Sequence, residues 1–408
     1  MDTIYHARLE ALLQDTPIVD THNDFAWLIR MNLHNQIYKF GFNFNSNRIV
    51  SHTSIPKLRK GRVGIQFSSG FVECKNPDQY STDFNLKSSI VRDTLEIFDI
   101  TKRLCADYPE HLKFVRSCDE AISTYHNGKI AVPLAIEGLH QIEGSLSVLR
   151  QYYELGIRYA TLNHNCDNPF STAASSIMAG LPDRGLSPLG VECIKEMNRL
   201  GIMVDLSHTS YKTMHDVLNV TQAPVIFSHS CAWALTHHER NIRDDVLLRV
   251  KESGSVVQVC FYGRFLSQDP KNPETASIDD LVDHIFYIAS LIGWEHVGFG
   301  GDYDGMEKAP VGLEDVSKYP DVIYKCMERG ASDEDVRGLM GNNLLRVWKS
   351  VEIISEIIKS KMLRGRCIEA EWEGREWEYF ECFKDVNEVF QGSKELYFSA
   401  HKWLPSNH

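Results

Sequence analysis

No stretch of this 408-residue chain approaches the roughly 18 consecutive apolar residues of a membrane span. Nor is there an excess of positive charge. The formal net charge is −12 and the pI is near 5.8, which argues against nucleic acid or an anionic membrane as the main partner. The ten cysteines include no C-x-x-C pair, and this speaks against a zinc ribbon or a disulfide-stapled miniature fold. Low-complexity tracts, a G-x-S-x-G elbow and an H-E-x-x-H helix are all missing, so serine-hydrolase and zincin designs score poorly. MDTIYHARLEALLQ at the start lacks the apolar core of a secretory leader and predicts a short amphipathic helix. AHKWLPSNH at the end lacks the hydrophobic tail of a lipid-anchor signal. A cytoplasmic protein is the resulting expectation.

With 43% hydrophobic and 24% charged residues, the chain has ample material for a large core. Short apolar runs recur, each closed by polar residues: PIVD (17–20), GIQFSS (64–69), AVPLAIEG (131–138), IRYATLNH (157–164), IMVDLSH (202–208), PVIFSHS (224–230), SVVQVCFY (255–262) and HVGFGGDYDG (296–305). They read as about eight strands. Amphipathic stretches lie between them, among them 145–156, 190–201, 243–254 and 278–293, and several end in a glycine placed for a left-handed C-cap. Alternation of continuous apolar strands with helices predicts a parallel sheet covered by helices, and about eight units fit a (β/α)8 barrel. GFGGDYDG places Tyr303 where the third glycine of a dinucleotide fingerprint belongs, so that motif fails.

Polar residues collect at the strand ends. His22 and Asp24, Glu137, His164, His208, His229 and Asp302 all stand at C-terminal ends of these runs, which in a barrel converge on the face that carries the active site. A lone histidine at a strand end is more often a hydrogen-bonded structural residue, but that explanation has to be invoked separately for each strand. Histidines and carboxylates without thiolates at the same places suit Zn²⁺ or a similar borderline cation. A natural division puts His22 and Asp24 on one ion and His208 and His229 on the other, with Glu137 bridging. Two such ions about 3.5–4 Å apart can clamp a bridging hydroxide and a substrate oxygen, and zinc lowers the pKa of bound water to about 7. Metal-assisted hydrolysis is the expected reaction class. Cys166, just beyond a strand end, could support a cysteine–histidine hydrolase, but that would leave the other strand-end residues unexplained.

DTHND, AIEG, TLNHNCDNP, GLSPLG, DLSHTS, APVIFSHS, RNIRDD, GFGGDYDG and GLEDVSKYP, in this order, resemble the renal or membrane dipeptidase family of dizinc metallopeptidases, from about residue 16 to about residue 350. The resemblance implies an amidohydrolase-type barrel and two Zn²⁺ per chain. It makes His22 and Asp24 ligands of the first metal, Glu137 the bridge, and His208 and His229 ligands of the second. Asp302 matches the acid/base residue, and His164 the residue that polarises the scissile carbonyl. Arg240 matches the arginine that holds the substrate's free carboxylate, and Tyr262 a pocket-lining aromatic. Arginine offers a carboxylate a planar two-donor fork, although a surface ion pair with Glu239 or Asp244 is the plainer reading of Arg240 alone.

The resemblance also implies a homodimer and a small dipeptide substrate, with specificity set by loops near 70–85 and 165–190. A chain of this kind resembles the intracellular fungal dipeptidases of secondary metabolism, which remove glycine from cysteinylglycine moieties of glutathione conjugates on the way to dithiol diketopiperazines. Cys74 and Cys166 fall where extracellular members form a disulfide; for a cytoplasmic chain both are expected as thiols or as a redox-labile pair. The barrel is expected to occupy 1–360. The acidic, aromatic segment 361–408 is expected to pack over it or at a dimer interface. His140, His237, His238 and His284 are given structural or surface roles. Another amidohydrolase, such as a deaminase or lactonase, usually opens with H-x-H and often bridges its metals with a carbamylated lysine; His22-Asn23-Asp24 and Glu137 favour the dipeptidase. A catalytically dead peptide-binding homologue should have lost a ligand or Asp302, and none is missing.

Overall fold

The computed structural model describes residues 3–74, 89–269, 271–361 and 366–370. Each of the eight apolar runs forms a strand. The first is Ile18–Asp20, the second Val63–Gln66 continued by Ser68–Ser69, and the third Ile130–Val132 continued by Leu134–Glu137. Ile157–Thr161, Met203–Asp205, Ile226–Phe227, Val256–Cys260 and Val297–Gly300 are the fourth to eighth. Each pairs in parallel with the next, and the eighth returns to the first with Phe299 opposite Asp20.

The second and third strands are each broken by one residue, Phe67 and Pro133. Their lower halves pair through Ile65 and Ala131, and their upper halves through Ser68 and Leu134. Proline has no N–H to give to the ladder, but the Pro133 carbonyl still accepts from Ser68 at 2.9 Å, so the ring stays closed across the kink. The result is the expected (β/α)8 barrel. A ninth segment, Leu112–Phe114, lies outside the ring beside Ile130–Val132. Three residues with only Leu112 buried carry too little apolar signal to be read from the sequence.

Helices Leu146–Leu155, Pro188–Leu200, Asp244–Glu252 and Ile278–Ile292 match the amphipathic stretches. Ser145, Ser187 and Ser277 cap three of them at the N-terminus. Val19, Ile65, Phe67, Ala131, Ala135, Tyr159, Met203, Ile226 and Val256 form the barrel's inner core. Leu344, Trp348 and Val351 of helix Asn343–Lys361 join the same cluster. Trp348 packs on Phe67 at 5.3 Å and Phe67 on Tyr159 at 5.4 Å, so a column of rings runs up the barrel towards the catalytic face. Among the described residues no helix is long and apolar enough to cross a membrane. Of the C-terminal extension only 366–370 is described: Ile368 donates its N–H to Glu196 and accepts from Arg150. The rest of the expected packing falls outside the described residues.

Candidate active site

The first and eighth strands stay together beyond the sheet. Asp302 donates its N–H to the His22 carbonyl at 3.1 Å, and Asp24 donates to Tyr303 at 3.0 Å. This lays Asp24 beside Asp302, and Gly305 closes the turn over them. A Cβ on Gly305 would stand 2.3 Å from an Asp24 carboxylate oxygen and 2.7 Å from one of Asp302. Asp302 and His208 both hold positive φ, 57° and 66°, a left-handed backbone that costs a non-glycine residue roughly 1–2 kcal/mol. Strain of this kind collects at functional sites.

All seven strand-end residues meet. Oε1 of Glu137 lies 3.0 Å from His208 Nε2, 3.4 Å from His229 Nε2 and 3.5 Å from His22 Nε2. His208 Nε2 and His229 Nε2 are 3.0 Å apart, and His22 Nε2 is 3.3 Å from Asp24 Oδ2. Ligand atoms fall into overlapping sets that could hold a cation: His22, Glu137 and His229; Glu137, His164 and His208; His22, Asp24 and Asp302.

The other ring nitrogens are occupied. Tyr159 donates its hydroxyl to the Thr21 carbonyl, so its oxygen accepts from His22 Nδ1 at 2.9 Å. Ser228 donates to Asp205 at 2.6 Å and accepts from His229 Nδ1 at 2.8 Å. Asp205 is held in turn by Thr161 and by the backbone N–H groups of Ser207 and Ser228. His208 Nδ1 donates to Asn165 Oδ1 at 3.2 Å. These bonds assign the protons to Nδ1 and turn three Nε2 lone pairs towards one carboxylate. Acceptors packed this way repel one another unless a cation or proton lies among them. Nε2 of His22 and Oδ1 of Asp24 are buried with no hydrogen-bond partner. The donor set therefore fits divalent zinc-like cations.

Burial pushes the pKa values of His208, His229 and His164 well below the ordinary imidazole value, helped by Arg240 and neighbouring histidines. His22 goes the other way. Burial opposes its protonation, but Tyr159, Glu137 and Asp24 outweigh that and raise it well above the usual value.

The site opens into a cavity of about 520 Å³, with Trp27, Phe71, Met178, Tyr262 and Phe265 among its lining residues. Arg240 is 4% exposed. Among the described residues its guanidinium hydrogen-bonds to Ser230 Oγ and the His229 carbonyl, both at 3.4 Å, lies over the Phe265 ring, and leaves Nε without a hydrogen-bond partner. The plainer reading, a surface pair with Glu239 or Asp244, fails because Arg240 is buried, Glu239 pairs with Arg243 and Asp244 accepts from Tyr287. Arg240 is thus a buried cation at a cavity wall without a carboxylate partner among the described residues. His164 rests against Phe71 and His208, at 4.5 and 4.6 Å between ring centroids.

Two expectations are corrected. Cys74 and Cys166 are joined in a disulfide, with Cα atoms 6.2 Å apart, within the span such a bond requires. The expected thiols assumed a reducing compartment, and compartment cannot be read from local contacts. The bond also leaves Cys166 no thiol with which to act as a nucleophile. His238 lines the cavity, so its role is not merely structural or superficial. Its Nδ1 accepts from the Arg240 N–H at 3.1 Å, and burial with the charges of Arg240 and Arg264 pushes its pKa down to about 4. His284 is buried, as expected of a structural residue, and His237 stacks on Trp233. The sequence reading missed Tyr159, Asn165, Asp205 and Ser228. Asp205 and Ser228 lie within DLSH and FSHS, the runs that carry His208 and His229, but Tyr159 sits mid-strand with nothing to mark it.

Known proteins bear on these observations. Residues 6–362 match the family model described as membrane dipeptidase, peptidase family M19. An uncharacterized dipeptidase of Schizosaccharomyces pombe is 53% identical over 398 residues, covering 97% of this chain and 94% of the relative. A second from the same organism is 43% identical, covering 89% and 86%. Among solved structures, a metallo peptidase from Rhodobacter sphaeroides, liganded with a phosphinate mimic of the dipeptide L-Ala-D-Ala, superimposes with a TM-score of 0.70 at 23% identity, covering 83% of this chain and all of that one. The chain belongs to the membrane dipeptidase family, peptidase family M19.

Proposed function

We propose, from this family membership, that the chain is a zinc-dependent dipeptidase carrying two ions and acting on small dipeptides with a free C-terminal carboxylate. What carries the reading is the convergence of three histidine Nε2 atoms on Glu137, in a cavity whose wall holds the buried Arg240. His22 and Asp24 would hold one ion, His208 and His229 the other, and Glu137 both. Zinc bound there supplies a lowered pKa for water and polarisation of the scissile carbonyl.

The remaining steps belong to side chains. Arg240 pairs with the substrate's main-chain carboxylate, a bidentate contact for which its guanidinium is preorganised. That anchor sets the peptide bond over the Glu137 cluster. His164, on the cavity wall, donates to the oxygen that gains charge in the tetrahedral state, a contribution of about 2.7–4 kcal/mol in comparable sites. Asp302 takes a proton from the attacking water and returns it to the leaving nitrogen, so that the amine departs neutral. Burial pushes the Asp302 carboxyl up to about 7, with His22 opposing and Asp24 and Glu137 adding to the rise. Tyr262 forms part of the substrate wall.

Cysteinylglycine units of glutathione conjugates satisfy the need for a free carboxylate and are one proposed substrate class, with secondary metabolism as the setting. Asp302→Asn is expected to keep both metals, by elemental analysis, while lowering kcat by at least about 100-fold. Normal turnover in that variant would remove Asp302 from proton transfer.

A further inference from the structure

Past Arg240 the cavity wall holds a second arginine. Arg264 lies in the short helix Gly263–Leu266, two residues after Tyr262, and lines the same cavity. Its side chain is exposed and makes neither a hydrogen bond nor an ion pair among the described residues. Its positive charge is felt by two other side chains that line the cavity, His238 and Tyr262. It lowers the pKa of His238, as does Arg240, and it opposes the burial that raises that of Tyr262. Arg240, His238 and Tyr262 all pack against Phe265, the residue that follows Arg264, so the two arginines share one wall of the cavity. Phe265 backs it, with its ring 4.8 Å from His238 and 5.0 Å from Tyr262. Only Arg240 and Arg264 are cations, because His238 stays neutral at physiological pH. Glu307 also lines the cavity and acts on Tyr262, but makes no ion pair with Arg264.

A dipeptide held through its main-chain carboxylate at Arg240 must send its C-terminal side chain along one of the adjoining walls. Besides Arg240, the arginine that lines this cavity is Arg264. We propose that Arg264 is a specificity residue that favours dipeptides whose C-terminal residue carries a second carboxylate, aspartate or glutamate, by pairing with that side chain. The inference rests on the dipeptidase reading above. It concerns rank among substrates, since a glycine in the same position still offers its main-chain carboxylate to Arg240.

The test compares kcat/KM for alanyl-glutamate and the near-isosteric alanyl-glutamine, using zinc-loaded wild type, Arg264→Gln and Arg264→Glu. An exposed pair gives a modest effect, so wild type should favour the glutamate substrate by about fivefold. The preference should shrink with added salt. Arg264→Gln should bring the ratio near one while leaving alanyl-glutamine unchanged, and Arg264→Glu should favour alanyl-lysine instead. A wild-type ratio at or below one, or a ratio that Arg264→Gln leaves intact, would overturn the inference while sparing the dipeptidase reading. Hydrolysis of neither compound by the metal-loaded wild type would overturn both.

Discussion

The three histidines that converge on Glu137 are oriented by different kinds of partner. His22 leans on a phenol at the top of the barrel core, His229 on a serine fixed by the buried Asp205, and His208 on the exposed Asn165 in the loop after the fourth strand. Such partners set tautomer and ring direction, and losing one typically costs about 10- to 100-fold in metal affinity. Tyr159→Phe and Ser228→Ala are therefore each expected to weaken zinc binding by that order, in competition with a chromophoric chelator. Unchanged affinity in both would mean that the ligands are held by packing alone. The strand-end residues of the cluster were legible because each breaks an apolar run with a side chain that has no reason to be there. Tyr159 was not, since a tyrosine within IRYAT is an ordinary strand residue and its importance depends on a ring column assembled from Phe67 and Trp348. His238 was misjudged for a similar reason: adjacent His237 and His238 look alike in sequence, and only the fold turns one of them into the cavity.

At the scale of elements, strand identity was carried by burial on both faces, which made eight runs continuous and apolar. Their interruptions were not legible. Phe67 and Pro133 break two neighbouring strands side by side, and a proline within an apolar run gives no sign of the partner that kinks with it. The Cys74–Cys166 bond links the segment after the second strand to that after the fourth, bringing together parts of the two loops expected to set specificity. The helix Ile278–Ile292 carries a buried histidine of another kind. His284 accepts from the Ala232 N–H at Nδ1 and faces the Leu266 carbonyl with Nε2, so it is held neutral, and burial pushes its pKa down to about 4. Above pH 6.5 the residue is neutral in both folded and unfolded chains. As pH falls from 6.5 towards 4 the unfolded chain binds a proton that the folded one refuses, and stability is lost. The loss approaches about 3 kcal/mol. In chelated protein, His284→Gln should reduce the fall in unfolding free energy between pH 7 and pH 4.5 by an amount of that order. Identical pH dependence in variant and wild type would show that His284 is not the group responsible.

For the whole molecule, closure of the ring matters most to the account. Side chains at positions from 22 to 302 can share one cluster only because the eighth strand returns to the first and the kinked second and third strands stay paired. Helix Asn343–Lys361 supports that closure by adding Trp348 and its neighbours to the inner core. The barrel class was readable from alternation alone, while the use of this last helix was not, because its apolar face resembles that of any covering helix. The central claim is that the Glu137 cluster is a two-ion centre required for dipeptide hydrolysis. The most direct test strips the protein with chelator, titrates zinc back, and follows metal per chain together with hydrolysis of free dipeptides that include cysteinylglycine. The account predicts a silent metal-free protein whose activity climbs to a plateau at two zinc ions per chain. Full hydrolysis by the metal-free protein would contradict it.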